Sequence, residues 1–195
     1  MHLKYILLSS LFFAISTNAQ NFLSKEDQII SAVQAAPENE RNNATVIGFN
    51  EQNKQVVLRK GTGNLICLAS NPKRKSFSVA CYQKDLEPLM ARGRALRKLG
   101  KTMHEIETIR AAEAKSGKLK LPKHPSTLYV LYGKQAKYNK DAKKVVNGHI
   151  RYVVYIPWAT EKSTGLPIKP QVPGGPWLMY PGGYKAHIMI TPPNN

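Results

Sequence analysis

The spacing of apolar residues changes along the chain and predicts a helix followed by strands. Over Lys25 to Ala36 the apolar positions recur three and four residues apart, as on one face of a helix, and Pro37 ends the pattern. Two runs rich in β-branched residues follow, Ala44 to Phe49 and Gln55 to Arg59, and each predicts a strand. The folded part of the chain is therefore expected to begin with one helix and two strands.

Two more helices are predicted in the middle of the chain. Asp85 is a candidate N-cap for the first of them, and Gly100 ends it. Thr102 and Glu105 form a capping-box pattern at the start of the second, which ends at Gly117. The apolar positions of these two helices are Leu86, Leu89, Met90 and Leu96, followed by Met103, Ile106 and Ile109.

Strand-like runs return after the helices. They are Thr127 to Tyr132, His149 to Trp158, Trp177 to Tyr180 and His187 to Thr191. Because strands and helices come in blocks and do not alternate, the pattern predicts an α+β fold with a largely antiparallel sheet. We expect residues 20–195 to form a single domain with an N-terminal helix and two central helices.

The two cysteines lie in neighbouring apolar runs on either side of a turn-forming segment. If Asn64 to Ala69 and Ser76 to Tyr82 pair as a hairpin around a five-residue loop, Cys67 and Cys81 lie directly opposite each other. Antiparallel partners have Cα atoms about 4.5–5.5 Å apart, a distance that a disulfide tolerates. The register predicts a disulfide-bridged hairpin, and a reactive or metal-binding thiol pair is the alternative interpretation.

The N-terminus has the three parts of a secretory signal. Met1 to Lys4 is short and basic, Tyr5 to Ser16 is apolar, and Thr17 to Ala19 provides small residues before Gln20. The apolar stretch is shorter than the roughly 18–20 residues of a membrane-spanning helix. We predict a signal peptide at residues 1–19 and a secreted or periplasmic protein, with no transmembrane segment in the mature chain.

Positive charge is the strongest bias in the composition. The 195 residues include 29 Lys and Arg against 12 Asp and Glu, a net charge of +17. Between Ala114 and Asn195, thirteen basic residues stand against two acidic ones. Such a surplus attracts anionic partners, and the attraction weakens with salt. A solvated surface that keeps an exported protein in solution would have the same composition, so both interpretations stand.

A basic stripe is predicted on the first central helix, where Arg94, Arg97 and Lys98 are spaced to lie on one side together with Lys101. The stripe indicates a surface for a phosphate-rich partner, or the solvated side of an amphipathic helix. Lysine predominates over arginine in the whole chain, which weakens the case for nucleic acid, because paired hydrogen bonds to phosphate come from arginine.

The segment from Gly174 to Tyr184 combines glycines with aromatic rings. Glycine lets a ligand approach the backbone closely, and aromatic rings stack on sugars or bases. We identify a candidate binding surface here, although core and turn residues can produce the same pattern. Its members are Trp158, Trp177, Tyr180, Tyr184, Lys185 and His187.

The segment from Glu161 to Pro176 has a proline at every third position from its seventh residue on, which is the period of polyproline II. These prolines are Pro167, Pro170, Pro173 and Pro176. The pattern predicts an extended segment that contains no helix. Such a segment has two interpretations. It is a functional element, either a recognition segment or a lid, or it is a stiff connection that crosses the sheet.

The sequence lacks the motifs of the common hydrolases and of phosphate-binding loops. Asp141 and Glu161 are the only acidic residues of the C-terminal part available for a carboxylate pair. His149 and His187 each begin a predicted strand, so we expect both near one edge of the sheet. They would be an acid/base pair, a metal pair or two separate structural histidines. No cofactor or metal is predicted.

Two segments resemble a group of small exported bacterial proteins without an assigned function. One is Gly63-Asn64-Leu65-Ile66-Cys67-Leu68 with the second cysteine fourteen residues later, and the other is the terminal His187-Ile188-Met189-Ile190. The chain departs from this group at Leu65, where the group favours tryptophan. The resemblance implies export and a disulfide, and it marks His187 and Met189 as candidate functional residues.

These observations predict a secreted or periplasmic binding protein without catalytic activity, although an enzyme stays open as an alternative. Its basic surface, with His149 and the residues named above, would meet an anionic polymer, a glycan or an envelope surface; nucleic acid has weaker support. The first alternative is a small secreted hydrolase, a ribonuclease-like phosphodiesterase that uses the histidine pair. The second is a structural component of the cell envelope that acts through Trp177 to Tyr184.

Overall fold

The computed structural model of the protein describes residues 22–193, and the predicted signal peptide, residues 1–19, lies outside this range. Two short 3-10 helices, Glu38–Glu40 and Lys84–Leu86, connect some of the longer elements. The helices are α1 (Lys25–Val33), α2 (Glu87–Lys98), α3 (Met103–Lys115) and α4 (Glu161–Thr164). The strands are β1 (Thr45–Phe49), β2 (Gln55–Arg59), β3 (Leu65–Leu68), β4 (Phe77–Gln83), β5 (Ser126–Gly133), β6 (Lys137–Asn139), β7 (Lys144–Val146), β8 (His149–Tyr155), β9 (Trp177–Met179) and β10 (His187–Ile190).

Eight strands form one sheet in the order β2-β1-β3-β4-β5-β8-β10-β9. Neighbouring strands in it are antiparallel, except that β1 and β3 run parallel. α1 packs on one face of the sheet, and α2 and α3 pack on the other. The predicted α+β fold with an N-terminal helix and two central helices is confirmed. No helix within residues 22–193 has both the length and the apolar character needed to cross a membrane.

The disulfide lies in the core on the α1 face. β3 and β4 pair in the predicted register, with Cys67 directly opposite Cys81 and their Cα atoms 4.0 Å apart. Both cysteines are fully buried, in a cluster that includes Val46, Leu65 and Val79. The predicted bridge is confirmed, and it joins two of the strands that α1 covers.

Two details of the central helices differ from the predictions. Thr102 and Glu105 form the predicted capping box of α3. Asp85 does not cap α2; instead, the Gln83 side chain accepts a hydrogen bond from the Asp85 backbone in the 3-10 helix that precedes α2. Met103, assigned to the apolar side of α3, is exposed. It occupies the first position of the helix, one turn before the first buried side chain.

The structure also contains elements that the hydrophobic pattern does not predict. β6 and β7 form a separate hairpin, and Gln34 just after α1 bonds to its backbone. The proline-rich segment begins with one helical turn, α4, which Thr160 caps and Gly165 ends. The prediction of no helix between Glu161 and Pro176 is therefore wrong. The prolines begin only at Pro167, so the residues before it retain the N–H donors that a helical turn needs.

Candidate anion-binding groove

α2 and α3 cover one end of their sheet face and leave a groove open at the other end. The core beneath the helices includes Tyr82 of β4 and Leu128 of β5. Farther along the same face lie Ser78, Tyr132 and His149, which are paired across β4, β5 and β8. The groove has a volume of about 710 Å³, and none of the described residues that line it is acidic.

Arg151 of β8 lies in this groove and is held in place by its neighbours. Its Nη2 donates to Tyr132 Oη at 2.5 Å and its Nε donates to Thr191 Oγ1 at 2.9 Å. Its guanidinium carbon lies 4.6 Å from the centre of the Tyr132 ring. A guanidinium has five N–H donors, and Nη1 bonds to no described residue. A fixed side chain with donors left over is preorganised for an anion, because little entropy remains to be lost on binding.

Further cations border the groove. Lys134 and Arg74 are part of its lining, and His149 lines it as well. Arg97 at the end of α2 lies outside this lining, and partial burial of its guanidinium together with the charges of Arg110, Arg74 and Arg94 lowers its pKa. Burial is the main cause of this shift, and repulsion from the neighbouring guanidinium groups adds to it. An anion bound between them would relieve that repulsion.

The fold divides the basic stripe predicted on α2. Arg94 turns inward, where its guanidinium donates to Tyr82 Oη at 2.8 Å and to Glu87 Oε1 at 2.6 Å. Arg97 and Lys98 are both exposed and lie outside the groove lining. The stripe therefore adds no residue to the lining, and the charge of Arg94 is balanced within the protein.

Of the predicted aromatic surface, Trp177 and His187 belong to the same sheet face and lie toward the other end of β8. Trp158 and Tyr180 are 48% and 45% exposed, and Trp177 in β9 is half-buried. Tyr184 is buried in the core under the helices, and its hydroxyl donates to Glu107 of α3 at 2.9 Å. The rings available to a ligand are therefore mainly Trp158 and Tyr180, which we call the aromatic platform.

His187 and Lys185 make their contacts within the protein and support this platform. The His187 side chain is buried; its Nδ1 donates to the Lys185 carbonyl oxygen at 2.7 Å and its ring centre lies 5.0 Å from that of Tyr155. Lys185 forms an ion pair with Glu107, and its Nζ lies 3.9 Å from the centre of the Tyr180 ring. These contacts fix the position of Tyr180.

The structure does not bring His149 and His187 together. Both lie on the α2/α3 face, but His149 is the first residue of β8, whereas His187 pairs with Tyr155, the last residue of β8. At roughly 3.3 Å per residue, these ends are about 20 Å apart. The expectation that both histidines lie near one edge of the sheet is wrong. β8 and β10 are antiparallel neighbours, so their first residues lie at opposite ends of the strands. A phosphodiesterase mechanism that uses this pair has no geometric basis.

Stability should fall with acidification because of Glu107 and His187. Burial lowers the pKa of His187, and hydrogen bonds from Lys185 and Tyr184 outweigh burial to lower the pKa of Glu107. The folded state thus binds these protons less well than the unfolded chain, whose His and Glu titrate near about 6.5 and 4.3. The contribution of His187 should decline below about pH 6.5, and that of Glu107 below about pH 4.3.

Denaturant unfolding between pH 7 and pH 2 measures this effect. The His187→Gln protein should lose the decline that begins near about pH 6.5 and keep the one at lower pH, where Glu107 becomes protonated. Equal pH profiles for the two proteins would contradict the assignment to His187.

The residues that build the groove are mostly not singled out by the sequence pattern. Arg74, Tyr132 and Arg151 carry no motif, and Tyr132 meets Arg151 only through the pairing of β5 with β8. One signal is visible in the sequence: Arg151 is a charge in the middle of His149 to Tyr155, a run otherwise suited to a half-buried strand. A charge in that position indicates either a partner or a ligand.

Within residues 22–193 no group of three or more His, Cys, Asp or Glu side chains could hold a metal ion. Comparison with protein-family models, with curated proteins and with solved structures finds no match to this chain.

Proposed function

We propose that the protein is a non-catalytic binding protein that holds an anionic polymer in the groove around Arg151. The observation that carries the proposal is the preorganised guanidinium of Arg151, bonded to Tyr132 and Thr191, in a groove whose described lining residues include no Asp or Glu. Hydrogen bonds from a guanidinium to an anion are stronger than those between neutral groups. A polymer suits the groove because it is open and bordered by several separate cations.

We further propose that this binding takes place in the periplasm or outside the cell. The signal-like pattern at residues 1–19 supports export. The Cys67–Cys81 bridge agrees with it, because disulfides persist in oxidising compartments. The resemblance to small exported bacterial proteins points in the same direction.

Replacing Arg151 with glutamine should weaken the binding of polyphosphate and of polygalacturonate by about tenfold or more, since a charged hydrogen-bonding partner of the anion is lost. Titration calorimetry at low and moderate salt measures both affinities. The affinity of the unaltered protein should fall steeply with salt, because the interaction is electrostatic.

Lys98→Gln is the matched control, because it removes the same charge from an exposed site on α2 outside the groove lining. It should change either affinity by less than about twofold. Equal losses for the two variants would show a diffuse surface attraction in place of a groove, and affinity independent of salt would contradict the proposal.

A further inference from the structure

The turn between α2 and α3 protrudes from the protein and presents two apolar side chains to solvent. Residues 97–104 are all exposed, and we call this segment the helix tip. Leu99 is 71% exposed and Met103 is 61% exposed. A Cβ added at Gly100, which lies between them, would have no described atom within 4 Å. Among the residues that the structure describes, no large apolar side chain is more exposed than Leu99.

The fold of the turn does not require these two side chains. The Gly100 N–H donates to the Arg97 carbonyl at 3.0 Å and the Lys101 N–H donates to the Leu96 carbonyl at 3.1 Å, which ends α2. Gly100 supplies the positive φ, 75°, of this motif. The apolar contacts that can accompany such a helix end, or the capping box that follows it, involve other positions than 99 and 103. Leu99 and Met103 therefore have no structural role in the turn.

Cations flank the apolar side chains of the helix tip. Arg97 and Lys98 directly precede Leu99, and Lys101 lies between Leu99 and Met103. The one carboxylate nearby in sequence is that of Glu105, which pairs with Lys101 at 2.7 Å and accepts a hydrogen bond from the Thr102 N–H. Residues 97–105 thus contain three cations against one carboxylate, and positive charge is in surplus around the two apolar side chains.

A second group of cations lies near the helix tip. Lys73, Arg74 and Lys75 are consecutive and exposed in the loop between β3 and β4. Partial burial, followed by the charges of Arg110 and Arg74, lowers the pKa of the Arg97 guanidinium, so Arg74 lies within electrostatic range of the helix tip. Arg74 also lines the groove. The helix tip, this loop and one wall of the groove are therefore neighbours.

We propose that the helix tip docks the protein on an anionic lipid bilayer, with Leu99 and Met103 in the interfacial layer and the flanking cations at the headgroups. Docking of this kind combines burial of apolar surface with attraction between basic side chains and anionic lipids. The inference goes beyond the groove and does not depend on what the groove binds. It would hold the groove close to the membrane surface.

The shape and composition of the helix tip favour a bilayer over a protein partner. A stable protein interface buries about 800 Å² on each partner, and its core is enriched in aromatic residues and depleted of lysine. The helix tip instead carries two flexible aliphatic side chains with Lys98 and Lys101 beside them. A protruding turn would need a matching hollow in a protein, whereas lipids rearrange around it. Lysine near a membrane surface adds to binding.

Sedimentation with lipid vesicles tests the proposal. The unaltered protein should bind vesicles of equimolar phosphatidylglycerol and phosphatidylcholine at least about tenfold more strongly than vesicles of phosphatidylcholine alone, and salt should weaken this binding. Leu99→Ser and Met103→Ser should each weaken it by about fivefold, because less apolar surface leaves water. The double variant should weaken it by more than about twentyfold, since the two losses add.

Val57→Ser is the matched control, because Val57 is 54% exposed on β2, at the edge of the sheet and outside the helix tip. It should change vesicle binding by less than about twofold. Leu99→Phe keeps an apolar side chain in the helix tip and should retain vesicle binding. Thermal unfolding of each variant shows that it is folded before the vesicles are added.

Polyphosphate binding by the same variants separates this inference from the proposed function. The Leu99→Ser/Met103→Ser protein should bind polyphosphate normally, and Arg151→Gln should keep most of its vesicle binding. If Arg151→Gln loses vesicle binding and the double variant keeps it, the groove holds the headgroups and the inference is overturned. Equal binding to both kinds of vesicle, or none to the anionic kind, also overturns it. Loss of polyphosphate binding by the unaltered protein alone would contradict only the groove function.

Discussion

Replacing both Cys67 and Cys81 with alanine should lower the free energy of unfolding by about 3 kcal/mol. The bridge joins residues that are 14 positions apart, and in the chain-entropy account it restricts the unfolded chain over that loop. Both side chains are also fully buried on the α1 face, so their removal leaves space beside Val46 and Val79. Urea unfolding of the variant and of the oxidised protein measures the difference.

Unfolding in strong reductant provides the control for this prediction. Reductant should destabilise the unaltered protein by a similar amount and should leave the double variant unaffected, because the variant has no bridge to lose. If the unaltered protein unfolds at the same urea concentration with and without reductant, the bridge does not stabilise this fold. The groove lies on the opposite face of the sheet, so the folded variant should still bind polyphosphate.

Replacing Gln28 with leucine should cost about 2–4 kcal/mol, because two backbone groups of Phe49 lose their partner. The Gln28 amide is buried between α1 and β1. Its Nε2 donates to the Phe49 carbonyl at 3.0 Å and its Oε1 accepts from the Phe49 N–H at 2.8 Å. Gly48 makes room for this contact, since a Cβ there would lie 2.6 Å from Gln28 Oε1. Leucine has nearly the same size but offers no hydrogen bond.

Gln34→Leu is the matched control, since Gln34 follows α1 directly and its side chain also bonds to the backbone of another element. Its Oε1 accepts from the Val145 N–H at 2.8 Å and its Nε2 donates to the Lys143 carbonyl at 3.1 Å. Gln34 is partly exposed, so water can replace the lost bonds and the cost should stay below about 1 kcal/mol. Equal losses for the two variants would show that burial of the Gln28 amide is not what makes it important.

The site was predicted less completely than the fold. Trp158 and Tyr180 follow from the glycine–aromatic segment and its neighbourhood, and both are exposed as expected. Helical spacing placed Arg94 and Arg97 together on one binding surface. The structure pairs Arg94 with Glu87. Helical spacing defines a side of a helix and leaves open which partner that side meets.

The amino-acid sequence by itself determined the elements whose signals are local. The Cys67–Cys81 pairing follows from the length of one hairpin loop, because that length sets the register of two adjacent strands. The capping box at Thr102 follows in the same way from residues three positions apart.

Only the tertiary structure decided which distant residues meet. Arg151 bonds to Tyr132 and Thr191 because β5 and the end of β10 flank β8. His149 and His187 are kept apart by the antiparallel pairing of their strands. Strand order and direction depend on packing across the whole sheet, and many strand orders satisfy the same alternation of apolar and polar residues. The groove is therefore a consequence of how the strands are arranged, and no short segment of the chain encodes it.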